Sequence, residues 1–207
     1  MAVARGPDVA GSRAVTGARD EGDPVVTAYL AVPGAAQMRL LGTRIAGLLR
    51  AGDLVVLAGA LGTGKTTLVQ GIGAGLGVRG PVTSPTFVIA RLHPSLRGGP
   101  DLVHADAYRL GSRLEVDDLD LDADLDHSVT VVEWGEGLVE SLASGHLRIT
   151  IDRQEPPPAP AAPEPASARA EDSTEDQVRR VTVAGYGGKW ESAADRLRSA
   201  VLAEQPG

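Results

Sequence analysis

The sequence predicts a three-layer α/β domain with a mostly parallel central sheet and an antiparallel edge hairpin. Three observations carry that expectation. Short apolar runs alternate with helix-periodic segments through the middle of the chain, the pattern that builds parallel sheets. The apolar run 54–58 leads directly into Gly59-Ala60-Leu61-Gly62-Thr63-Gly64-Lys65-Thr66-Thr67, a glycine-rich turn at a strand-to-helix junction. Two alternating stretches near the C-terminus, 147–152 and 180–184, read as an antiparallel pair joined by a long insertion.

Residues 1–24 mix Gly, Ala, Arg, Asp and Pro without periodicity and read as a disordered leader. Residues 25–30 suit a short strand. Met38, Leu41, Ile45, Leu48 and Leu49 then fall at helical spacing over 35–50, and Gly52 follows. Residues 53–58 form the strand entering the glycine-rich turn, and 66–76 the helix leaving it. Gly71, Gly73 and Gly75 weaken the far end of that helix, because glycine lowers helix propensity. Residues 82–90 combine a turn around Pro85 with a β-rich run, and 94–100 make a loop. Residues 102–106 and 129–132 read as buried strands, the first ending in Asp106 and the second followed by Glu133 and Trp134. Between them, 115–126 is acidic and helical in pattern. The Pro-, Ala- and Glu-rich stretch 154–177 reads as a flexible insertion, and 190–204 as a short amphipathic helix. The organisation expected is a leader (1–24), the main domain (25–153), the insertion (154–177), and a final strand and helix of the same domain (178–204).

Composition limits the function classes. The chain has 207 residues, 43% of them hydrophobic, enough for one core; aromatics make up only 3%, so Val, Leu and Ala must fill it. A formal net charge of -7 argues against tight nucleic-acid binding by this chain alone, and a basic surface would have to come from a partner. The absence of cysteine removes disulfides, thiolate metal sites and a Cys nucleophile. The absence of asparagine removes the guanine-reading motif of Ras-like GTPases and the catalytic Asn of protein kinases. No apolar run approaches membrane-spanning length, so no membrane partner and a cytoplasmic location are expected.

Gly59 to Thr67 reads G-x-x-x-x-G-K-T, the phosphate-binding loop of nucleotide hydrolases, which makes the main domain a P-loop NTPase. Gly59, Gly62 and Gly64 let the backbone curl so that successive N–H groups face phosphate, with Thr63 and Thr67 in the same cradle. The following helix adds its positive N-terminus. Lys65 reaches the β- and γ-phosphates, and the Thr66 hydroxyl holds Mg²⁺. Lysine occurs only at positions 65 and 189, which argues against an accidental match. ATP and Mg²⁺ are the expected cofactors.

Ligands of open α/β sheets bind beyond the C-terminal strand ends, and that rule makes Asp106 and Glu133 neighbours of the loop. Glu133 after four mostly apolar residues is a Walker B pattern, suited to the Mg²⁺ shell or the attacking water. Asp106 suits the metal or the water, and equally a cap on the next turn. Thr83, Ser84 and Thr86 stand where switch regions sense a γ-phosphate, or simply serve the turn at Pro85. Trp134 fits either a core position or a face toward the site or a partner. Arg109 is a candidate internal arginine finger, although such residues more often pair with surface acids. His104 reads as a satisfied core histidine rather than a ligand. The aspartates at 117, 118, 120, 122, 124 and 126 lack the glycine and distant glutamate of a calcium loop and read as a solvated face.

In chain order, the loop, Thr83-Ser84-Pro85-Thr86-Phe87, His104-x-Asp106-x-Tyr108-Arg109-Leu110 and Val132-Glu133-Trp134 resemble the TsaE (YjeE) family, the ATPase component of bacterial tRNA threonylcarbamoyladenosine biosynthesis. The similarity spans about residues 30–152 and the strand at 180–184. It implies an ATPase, weak alone, that acts with TsaD and TsaB and meets tRNA only through that complex. By the same resemblance Lys65 and Thr66 match the Walker A residues and Glu133 the Mg²⁺-holding acid. Asp106 matches the essential acid of its motif, and Trp134 the tryptophan after the Walker B acid. The chain departs from the family pattern at Ala60, Thr63, Ala105, Ala107 and Gly135, and matches poorly the polar adenine-side segment at 33–41. Two rival readings of the residues are a small-molecule or nucleoside kinase and a nucleotide-dependent binding module.

Overall fold

The computed structural model describes residues 22–85, 89–110, 125–153 and 177–203. The strands are β1 (Val26–Pro33), β2 (Leu54–Ala58), β3 (Ala90–His93), β4 (Asp101–Asp106), β5 (Ser128–Glu133), β6 (His146–Arg153) and β7 (Val178–Tyr186). The α-helices are α1 (Gly34–Ala46), α2 (Lys65–Leu76) and α3 (Gly188–Leu202). The strands form one 7-stranded sheet in the order β1-β7-β6-β2-β5-β4-β3. The central strands β6, β2, β5 and β4 are parallel. β3 pairs antiparallel with β4 at one margin; β7 runs antiparallel to β6 at the other, and β1 closes the outside of β7. The expected pairing of the last two strands holds, with the N-terminal strand as the outermost element on that side.

β2 is buried at every position, as a central strand covered on both faces must be. Its side chains alternate between two cores. Val55 and Leu57 join the helices, together with Val129, Val131, Leu147, Ile149 and Ile151. Leu54 and Val56 join Val103, Ala105, Val132 and Val139 on the other face. α1, α2 and α3 all contribute to the first core. Among the described residues the second face is covered by turns, including the 3-10 turn Glu140–Leu142. Of the expected acidic helix, only a 3-10 turn, Leu125–His127, falls among the described residues. The leader up to residue 21 and the insertion from 154 to 176 also lie outside them.

The glycines of α2 do not shorten it. The helix runs unbroken to Leu76, and its glycines are contact points. A Cβ on Gly71 would overlap the Arg39 carbonyl, one on Gly42 the Leu68 carbonyl, and one on Gly75 would press on Ala46. α1 and α2 therefore meet backbone to backbone, and the Thr43 hydroxyl donates across the contact to the Gly71 carbonyl at 3.1 Å. Helix propensity is lost locally and regained as close packing. α3 covers the far end of the same face. Trp190 is 1% exposed there, and the Lys189 ammonium pairs with the Asp53 carboxylate at the entry to β2.

The register sets the site. Leu57 pairs with Glu133, Glu133 with Asp106, and Ala58 with Thr150. The parallel strands thus finish at one level, around the phosphate loop.

A candidate nucleotide site

Gly64 adopts φ 107°, a left-handed conformation that suits glycine, and starts α2 without a side-chain cap. The Leu68 N–H donates to the Gly64 carbonyl at 2.9 Å, closing the first turn of the helix. The N–H groups of Lys65, Thr66 and Thr67 thus have no partner within the helix and point out of its positive end, an anion site made of backbone. Gly59, at φ 128°, lies so close to the Ile151 carbonyl of β6 that a Cβ there would overlap it. β6 is therefore the second wall of the loop. From its end the Arg153 guanidinium donates to the Leu61 carbonyl at 3.3 Å.

A cavity of about 280 Å³ opens on the loop. Gly62, Gly64, Lys65, Thr66, Thr67, Asp106, Glu133 and Trp134 line it, with Leu61 and Ser84 beside them. Two further residues expected in the cradle shape the turn. Gly59 makes the close contact with β6, and Thr63, 1% exposed, donates its hydroxyl to the Ala60 carbonyl at 3.0 Å. Arg109 is exposed and does not line the cavity; Thr86 and Phe87 lie outside the described residues.

Lys65 is only 4% exposed, and its ammonium donates to the Gly59 and Ala60 carbonyls at 2.8 and 2.9 Å. Burial lowers its pKa from the ordinary lysine value, and the charges of Glu133 and Asp106 oppose that shift. The Trp134 ring centre lies 3.8 Å from the same ammonium. Trp134 takes φ 60°, a costly value for a non-glycine residue, held by its N–H donating to the Leu57 carbonyl at 2.9 Å. Tyr108 packs against the indole with ring centres 5.1 Å apart.

The two acids differ in their surroundings. The Glu133 Oε1 accepts from the Thr66 hydroxyl at 2.8 Å and lies 2.9 Å from the His104 Nε2. The Asp106 Oδ1 accepts from the Tyr108 main-chain N–H at 2.9 Å. A hydroxyl and two carboxylates, all oxygen donors, fit Mg²⁺, which takes few protein ligands and completes its octahedron with water and phosphate.

Two contributors are not readable as such from the sequence. Arg153 gives no signal, because its nearness to the loop depends on β6 being the neighbour of β2. His104 is a buried core histidine, as expected, but its bond to Glu133 requires the β4–β5 register.

Fold and site together define a nucleotide-binding protein of the phosphate-loop type. A family model described as threonylcarbamoyl adenosine biosynthesis protein TsaE matches residues 32–158. The chain belongs to the TsaE family. It is 59% identical over 157 residues to the tRNA threonylcarbamoyladenosine biosynthesis protein TsaE of Streptomyces coelicolor, covering 75% of this chain and 95% of that one. The Mycobacterium tuberculosis TsaE is 52% identical over 120 residues, covering 55% of this chain and 71% of its own. Among solved structures, Bacillus subtilis YdiB superposes with a TM-score of 0.61 at 25% identity, covering 83% of this chain and 93% of that one.

Proposed function

We propose that this chain is an ATPase, weak alone, whose Mg²⁺-dependent hydrolysis supports threonylcarbamoyl modification of adenosine 37 in tRNA. It acts in the cytoplasm, together with TsaD and TsaB. The observation that carries this reading is the convergence of Lys65, the α2 N-terminus, Thr66, Glu133 and Asp106 on one cavity. Lys65 and the loop amides bind the phosphates. Thr66 and Glu133 hold Mg²⁺, and when bound the metal neutralises charge on the β- and γ-phosphate oxygens. Asp106 orders the metal shell or the attacking water. Trp134 shields the lysine from bulk water on one side.

The pathway rests on family membership, and TsaD and TsaB on the motif resemblance. Among the described residues no helix is long and apolar enough to cross a membrane. The test is phosphate release by the full chain, alone and with purified TsaD, TsaB and tRNA. Strong stimulation by the partners is the expected result. Transfer of phosphate to a small acceptor would favour a kinase instead, and an intact pathway with hydrolysis blocked would favour a binding module.

A further inference from the structure

We infer that His104 is a positioning residue that fixes the orientation of the Glu133 carboxylate, an inference that rests on the function proposed above. His104 is fully buried, at 0% exposure, on the face of the sheet that the helices cover. Strand alternation puts it on the same face as Leu102, and the parallel register pairs it with Val131, one step short of Glu133 on that face. Its Nε2 therefore reaches diagonally to the Glu133 Oε1 at 2.9 Å.

The Thr66 hydroxyl reaches that same oxygen, at 2.8 Å, from α2. Two groups from two elements thus converge on one carboxylate oxygen and fix the plane of the group. A carboxylate only accepts, so the donating proton of the imidazole is on Nε2. The other ring nitrogen, Nδ1, is buried without a hydrogen-bond partner among the described residues, as the bare nitrogen of that tautomer would be. Among the described residues, the ring's one hydrogen bond goes to Glu133.

A residue present only to fill the core would be better apolar, since leucine occupies similar space without burying an unpartnered nitrogen. Thr66 can rotate about its side-chain bond and is itself a metal ligand in the proposed reading. His104, held by the surrounding core, is the fixed donor. Metal sites commonly lose about 10–100-fold in metal affinity or activity when a hydrogen bond that orients a ligand is removed.

The test contrasts His104→Gln, whose amide N–H reaches about as far as Nε2, with His104→Asn, whose shorter amide does not reach Glu133. Affinity for ADP is measured by calorimetry on the full chain, without metal and with Mg²⁺, alongside phosphate release with the partners. Thermal unfolding checks that both variants fold. Metal-free ADP affinity should stay within about twofold of wild type in both. His104→Asn should lose the Mg²⁺-dependent tightening and about 10–100-fold in turnover, while His104→Gln retains most of each.

Equal behaviour of the two variants, whether both intact or both impaired, overturns the inference. If wild type itself shows no Mg²⁺-dependent ADP binding, the ATPase reading falls first. If wild type shows it and His104→Asn keeps it, the positioning role alone falls.

Discussion

β4 and β5 lie side by side and run parallel, and each ends in a buried carboxylate at the cavity, yet the two acids are held by different means. Glu133 is met by side chains from two other elements, Thr66 of α2 and His104 of β4. Asp106 accepts from a main-chain N–H two residues along its own turn. The first arrangement exists only when sheet and helix are assembled. The second contact lies within the turn itself. For adjacent acids of similar burial, these contacts therefore depend on different parts of the chain.

Neutralising each acid puts this contrast under the most severe strain. With partners and tRNA present, Glu133→Gln should lower phosphate release by about 10²–10³-fold, the scale of losing one preorganised electrostatic contact. Asp106→Asn should lower it by about 10–10²-fold. Metal-free ADP binding should stay near wild type in both. A larger loss for Asp106→Asn would reverse the ranking.

Thr66→Val removes the helix-side contact to Glu133, and should weaken Mg²⁺-dependent nucleotide binding by about 10–100-fold in calorimetry. Arg153→Ala acts on the loop from β6 through one exposed bond to the Leu61 carbonyl. It should weaken ADP binding only about three- to tenfold, with the metal response unchanged. Tyr108→Ala keeps the N–H that Asp106 uses, so turnover should stay within about threefold despite the lost ring contact with Trp134.

The mildest effect concerns stability, and separates the site acids from the imidazoles of the fold. Burial lowers the pKa of both His93 and His146 from the ordinary histidine value of 6.5, with the Arg148 charge adding to the shift at His146. Below that value the unfolded chain takes up protons that the folded chain refuses. Stability therefore falls as pH drops through it and is unaffected by these groups above it. Thermal unfolding from about pH 7.5 to about pH 5 should show the decline, and His146→Phe should flatten it. An unchanged slope in that variant would assign the acid sensitivity to other groups.

Much of the site is legible in the sequence because its signals are local. The glycine spacing with Lys65 and Thr66, and the apolar runs ending at Asp106 and Glu133, each occupy a short stretch of chain. What the sequence does not carry is order across the sheet. Nothing in residues 26–33 says that they form the outermost strand beside β7, and nothing in Arg153 says that its strand flanks the loop. The glycines of α2 mislead for a related reason: propensity weighs a helix alone, whereas Gly71 and Gly75 answer to α1. Thr63 is placed by its motif in the phosphate cradle, and the sequence does not show that its hydroxyl turns back to the Ala60 carbonyl.

The Lys65 ammonium is engaged by its own loop, through the Gly59 and Ala60 carbonyls, and roofed by Trp134. In the proposed function a nucleotide meets an ammonium with two of its three N–H groups already placed by the loop, which leaves the third to donate to a phosphate oxygen. The loop thus aims that donor before any ligand arrives, and little of the lysine's side-chain freedom is left to be lost on binding.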